Sequence, residues 1–268
     1  MTSPARELRG VLPVFQTPYH SNETIDFATL EREIAWLHDC GAHGIVMAMV
    51  SETLRLSSEE REQLAEAACK LGRARGVVVI SVGAESSKVA ERYARHAESV
   101  GADAVMAIPP VSVGIGEGEL LAYYRRIIEA IRIPVIVQDA SGYVGKPMPI
   151  AMQARLLDEF DPERVLYKPE ASPIGPKLSE LRDATGGRAR VFEGTGGIAL
   201  VADCRPFEGR LNQSALVQPV MNPVRPQIVF DPDVSGVPLL HAARPWTKRT
   251  GQQCGAGTER AFVHGCHR

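Results

Sequence analysis

Lys168 is the residue whose position most suggests chemistry. It closes a short apolar run, Val165-Leu166-Tyr167, and Pro169-Glu170-Ala171-Ser172 follows at once. The run predicts a buried strand that ends on the lysine and turns into a helix starting near Ser172. An ammonium taken out of water loses hydration, so its pKa falls, and a partly neutral amine is a nucleophile towards carbonyl carbon. The competing reading is a lysine whose stem lies along the strand while its head reaches solvent. Asp139, at another strand end, is a second candidate, either catalytic or paired with a polar loop group. His43 precedes a strand, at the end opposite the lysine, and a structural role fits it better. No H-x-H, H-E-x-x-H or carboxylate cluster suggests a metal. The five cysteines, Cys40, Cys69, Cys204, Cys254 and Cys266, show neither zinc spacing nor a disulfide framework.

The elements that must position Lys168 alternate along the chain. Apolar runs at 10–15, 44–49, 77–82, 104–108, 134–138, 165–167 and 189–193 read as seven strands. Helical patterns separate them. One is capped by Asp26 and carries Leu30, Ile34, Ala35 and Leu37. Another opens on the capping box Ser57-Ser58-Glu59-Glu60, and others are expected near 87–100, 119–131, 149–160 and 172–185. Strict alternation with short loops predicts a parallel sheet, either wound open or closed as a barrel. No G-x-G-x-x-G joins the first strand to the first helix, which argues against a dinucleotide fold. Gly114-Ile115-Gly116-Glu117-Gly118 is misspaced for that motif and reads as a flexible loop. Seven such units favour a (β/α)8 TIM barrel, whose chemistry sits at the carboxyl ends of the strands. Lys168 lies at such an end.

The chain has 268 residues and a formal net charge of -2, ample for a core and without an electrostatic case for nucleic acid or an anionic membrane. No apolar run approaches a membrane span and the first residues lack a signal-peptide core, so a cytoplasmic protein is expected. From about Ala202 the pattern changes. Prolines at 206, 219, 223, 226, 232, 238 and 245 leave no room for long helices. The domain reading is therefore a barrel of about seven βα units over 1–201, incomplete at the eighth. Residues 202–268 are expected to be an atypical Pro/Gly-rich tail, either disordered or read from a shifted frame.

Gly10 to about Leu200 resembles the dihydrodipicolinate synthase / N-acetylneuraminate lyase family of Schiff-base barrel enzymes. The resemblance is carried by Gly10-Val11-Leu12-Pro13-Val14 with Thr17-Pro18-Tyr19 and Ile25-Asp26, by Leu56-Ser57-Ser58-Glu59-Glu60-Arg61, and by Val82-Gly83-Ala84. Tyr167-Lys168-Pro169-Glu170-Ala171-Ser172 resembles the segment holding the family's imine-forming lysine. It implies a lyase with no separate cofactor, in which Lys168 forms a covalent imine with pyruvate or another 2-oxo acid before aldol cleavage, condensation or dehydration. It also implies a possible homo-oligomer.

The resemblance thins at the other site positions. The family's Gly-Thr-Thr-Gly-Glu loop is Ala48-Met49-Val50-Ser51-Glu52 here, leaving the Ser51 hydroxyl and backbone N–H groups to hold a carboxylate, with Glu52 beside them. The usual relay tyrosine falls on Val111, next to Ser112. Where an arginine often stands after the fifth strand, this chain has Tyr143, a phenol that either relays protons or packs at the barrel mouth. Gly194 matches a glycine near bound substrate. The expected site is thus Lys168 and Tyr143 as catalytic residues, with Ser51, Glu52, Ser112 and Gly194 binding substrate. The alternatives are a non-catalytic relative that binds a small acid, and a truncated, inactive product.

Overall fold

The computed structural model describes residues 6–112, 114–141 and 147–194, together with the backbone of Ser214–Ala215; all lie within one unit, Met1–Ser235. Strands β1 (Gly44–Met47), β2 (Val77–Ser81), β3 (Ala104–Ala107), β4 (Val135–Asp139) and β5 (Val165–Pro169) form one sheet in that order. All four pairings are parallel, as the alternation predicts. The first apolar run flanks β1 through a parallel bridge, Val14 to Val46. On the other side, Val191 bridges to Tyr167, and β6 (Phe192–Glu193) follows directly. Ser214–Ala215, β7, pairs in parallel with β6. Eight parallel segments thus follow one another in chain order, the arrangement of a (β/α)8 barrel. The eighth holds two paired residues inside the stretch expected to be tail. The rest of 202–268 lies outside the described residues.

Helices α1 (Phe27–Asp39), α2 (Ser58–Gly72), α3 (Ser87–Ser99), α4 (Glu117–Ala130), α5 (Ile150–Phe160) and α6 (Ile174–Ala184) alternate with the strands. Their starts follow local chemistry. Asp26 Oδ1 accepts from the Thr29 N–H at 2.9 Å, and Ser57 and Glu60 complete a reciprocal capping box. Gly41 and Gly101 follow the ends of α1 and α3 at φ +93° and +95°, a conformation that costs glycine little. Two boundaries differ from expectation. Helix α4 starts at Glu117, because Glu119 reaches back towards the Gly116 N–H and converts the end of the glycine-rich stretch into a helix start. Helix α6 starts at Ile174 rather than near Ser172, because a residue preceding proline is held out of the helical region.

Period-two alternation divides the interior into two layers. One side of the strands, with Ile45, Met47, Val78, Ile80, Val105, Val135, Val137, Val165 and Tyr167, packs under the helices. The other side forms a separate cluster with Val46, Val79, Met106, Ile136, Leu166 and Phe192. We call this inner layer the lumen. Both faces being covered explains why the strands read as continuous apolar runs.

Candidate active site

Alternation along β5 carries Leu166 into the lumen layer and puts Lys168 on the same face, two residues nearer the carboxyl end. The Lys168 side chain is wholly buried, so the snorkelling reading fails. Burial pushes its pKa down. The neighbouring carboxylates of Glu170 and then Glu193 pull it back up, and the net direction is down from 10.5. The amine is therefore easier to deprotonate than an ordinary lysine.

Glu170 follows two residues later, so the same alternation brings it beside the lysine. Its Oε1 lies 3.1 Å from Lys168 Nζ, and the Glu170 N–H donates to Asp139 O at 3.1 Å, extending the ladder past the end of β5. The ammonium and Oε1 are close but not aligned as a hydrogen bond; neither atom has a hydrogen-bond partner. The other carboxylate oxygen is fixed, since Gln138 Nε2 donates to Glu170 Oε2 at 2.6 Å. Gln138 stands opposite Lys168 in the β4–β5 register, and its own Oε1 also lacks a partner. Gln138 Oε1, Lys168 Nζ and Glu170 Oε1 are thus buried without a hydrogen-bond partner at the carboxyl end of the lumen, the last two facing each other as an ion pair. Such atoms are costly to bury without a partner, and a polar ligand would satisfy them.

Gly194 closes against this group. A Cβ added there would lie 2.6 Å from Lys168 Cε and 2.7 Å from Glu170 Oε1, so only glycine leaves both side chains in place. Glu193, just before it, is also buried. Of the residues singled out from the sequence, Lys168 and Gly194 are therefore brought together.

The other expected residues have different surroundings. The Ser51 hydroxyl donates to Phe15 O at 2.6 Å and accepts from the Ala48 N–H at 3.2 Å, tying the loop after β1 to the first extended segment. Its single hydrogen is committed there. Glu52 adopts a left-handed conformation at φ 62° and pairs with Arg55 at 2.7 Å. Ser112 is exposed, and its N–H and that of Val111 both donate to the Glu85 carboxylate. Asp139 accepts from the Ser141 and Met148 N–H groups, which makes it a loop-holding residue. His43 Nδ1 accepts from the Val11 N–H, a structural contact, as expected. Tyr143 lies outside the described residues.

Gln138, Glu170 and Glu193 were not singled out in the sequence. The signal for Glu170 was present, since a residue two beyond a strand-end lysine shares its face. Gln138 required the register between β4 and β5, which is not written locally. The buried phenols of the helix-side layer serve the backbone: Tyr123 donates to Ile108 O, Tyr124 to Ala107 O and Tyr167 to Gln153 O. Burial raises the pKa of all three, which makes them poor proton carriers near neutrality. The buried Arg61 guanidinium donates to Ser81 O and Gly83 O, each at 2.9 Å, and stacks 4.3 Å above the Tyr93 ring. It braces the carboxyl end of β2. Among the described residues no group of three or more His, Cys, Asp or Glu could hold a metal ion, and no helix is long and apolar enough to cross a membrane.

Residues 7–162 match the dihydrodipicolinate synthetase family. The 4-hydroxy-tetrahydrodipicolinate synthase of Methanosarcina mazei is 28% identical over 177 residues, covering 66% of this chain and 59% of that protein. The L-2-keto-3-deoxyarabonate dehydratase of Azospirillum brasilense is 29% identical over 201 residues, covering 73% of this chain and 64% of its own length. A crystal structure of the chloride-inhibited dihydrodipicolinate synthase of Acinetobacter baumannii, complexed with pyruvate, superposes with a TM-score of 0.70 at 23% identity. It covers 79% of this chain and 70% of its own, and at that identity it speaks for the fold alone. The chain spans about three fifths of the length of the curated relatives it matches.

Proposed function

The chain belongs to the dihydrodipicolinate synthetase family, and on that premise we propose that it is a Schiff-base lyase acting on pyruvate or another 2-oxo acid. The observation that carries the proposal is the wholly buried Lys168 at the carboxyl end of β5, its pKa lowered and its neighbours unsatisfied. The neutral amine attacks the keto carbon, and loss of water gives an imine that draws electrons from the adjacent carbon. Aldol cleavage, condensation or dehydration then follows; relatives named as a synthase and as a dehydratase support that range.

In this reading Gly194 leaves room beside the imine, and Ser51 holds the loop whose backbone N–H groups meet the substrate carboxylate. Glu52 and Ser112 contact the distal part of the substrate, and Tyr143 relays protons at substrate carbon. A cytoplasmic location and a homo-oligomer belong to the same proposal, and light scattering tests the second. A second reading, a non-catalytic relative that binds a small acid, is favoured by Val111 standing where the family's relay tyrosine is expected.

Borohydride trapping with pyruvate and a panel of 2-oxo acids, followed by peptide mapping, tests the chemistry. The expected result is an adduct on Lys168. Absence of any adduct on a cooperatively melting protein sinks the lyase reading, whereas an adduct without turnover selects the binding one. Because the Lys168 pKa is lowered, the free amine forms at lower pH than usual. The trapping rate should rise with pH and level off below 10.5.

A further inference from the structure

We propose that Glu170 is the acid–base group of imine formation at Lys168, held in place by Gln138. The inference rests on the Schiff-base reading and assigns a step within it. Glu170 Oε1 lies 3.1 Å from Nζ, inside the reach required for proton transfer. The near contact is unaligned in the free protein, as catalytic hydrogen bonds often are before substrate arrives. Gln138 Nε2 grips the other oxygen at 2.6 Å, which fixes the carboxylate with Oε1 towards the amine. Gly194 leaves the space beside both groups clear.

Among the described residues, the tyrosines and Asp139 are committed elsewhere. The phenols of Tyr123, Tyr124 and Tyr167 lie in the helix-side layer and donate to backbone carbonyls, and the Val111 side chain has no ionisable group. From β4, Asp139 accepts from loop N–H groups. From β6, Glu193 contributes a second negative charge near the amine.

The protons balance through one carboxylate. Glu170 takes a proton from the Lys168 ammonium, and the freed amine attacks the keto carbon, forming the C–N bond. The carbonyl oxygen becomes a hydroxyl by receiving the proton from Glu170. Glu170 then removes a second proton from nitrogen and passes it to that hydroxyl, which leaves as water while the nitrogen lone pair forms the C=N bond. The products are a protonated imine, one water and Glu170 again as carboxylate.

The test measures the rate of Lys168 adduct formation with pyruvate near pH 7, with cyanoborohydride in excess so that imine formation limits the rate. Glu170→Gln is expected to slow it about 10²-fold, the scale of one general acid–base group. A carboxylate serving only as counter-charge gives the opposite sign. Its removal leaves the amine more readily neutral, so trapping at neutral pH becomes faster. A faster or unchanged rate in Glu170→Gln overturns the proposal while leaving the Schiff-base reading intact. Absence of adduct on the unaltered, folded protein overturns both. If Glu170→Gln does not melt cooperatively, Glu170→Asp decides. Retracting the carboxylate by one methylene takes it out of proton-transfer reach but barely weakens a counter-charge. A rate at least tenfold lower in Glu170→Asp supports the proposal, and a rate equal to the unaltered protein overturns it.

Discussion

Two levels of the lumen, one step of the strand pleat apart, obey different rules. At the lower level β4, β5 and the β6 segment contribute Ile136, Leu166 and Phe192, all apolar and almost wholly buried. Two residues further along the same strands stand Gln138, Lys168 and Gly194. The backbone geometry is shared, so the difference is entirely in the side chains. Below, every buried atom gains by leaving water. Above, three polar atoms are buried without a hydrogen-bond partner, and the Lys168 amine sits beside the Glu170 and Glu193 carboxylates. The lower level holds the strands together. The upper level draws on that stability to keep a buried polar cluster that costs free energy by itself.

The sharpest division comes from Lys168→Met, which keeps the volume of the side chain and removes the amine. Adduct formation should be lost completely, as read by intact mass after borohydride treatment. An adduct that persists would place the chemistry on another lysine and erase the contrast between levels. Next in size is Leu166→Ala, one step below on the same face. It should cost about 2–5 kcal/mol in denaturant unfolding, the range for truncating a buried leucine. Its trapping pH profile should match that of the unaltered protein under conditions where the variant is folded. A changed profile would mean that the two levels are not separable.

Gly194→Ala probes the boundary from the other side. Its methyl would sit 2.6 Å from Lys168 Cε, so one of them must move. A displacement of about 1 Å at a reacting group is enough for roughly 10²-fold in rate. The expected signature is a large loss in trapping with a smaller loss of Tm. The smallest effect belongs to Ile136→Val, the apolar counterpart beneath Gln138. It should cost about 0.5–1.5 kcal/mol in stability and leave trapping unaffected once the protein is folded.

Much of the fold was legible in the chain because its determinants are local. The apolar runs, the Asp26 cap, the Ser57–Glu60 box and the glycines after α1 and α3 each act within a few residues, and the elements they mark are present. Lys168 was legible for the same reason, as a charge at the end of an apolar run. Glu170 was half legible, through its two-residue spacing from the lysine. The eighth parallel segment left almost no trace, since Ser214–Ala215 offers only two residues in a proline-rich stretch.

What the tertiary structure alone decided is which distant groups meet. Register places Gln138 opposite Lys168 and lets its amide grip Glu170. The approach of β6 to β5 brings Gly194 against both. Pairing of the first segment with β1 commits the Ser51 hydroxyl to Phe15, although the sequence had offered it as a substrate donor. Local periodicity states which way a side chain faces along its own strand. It carries no information about the neighbouring strand's offset, and a buried polar site is made of such offsets.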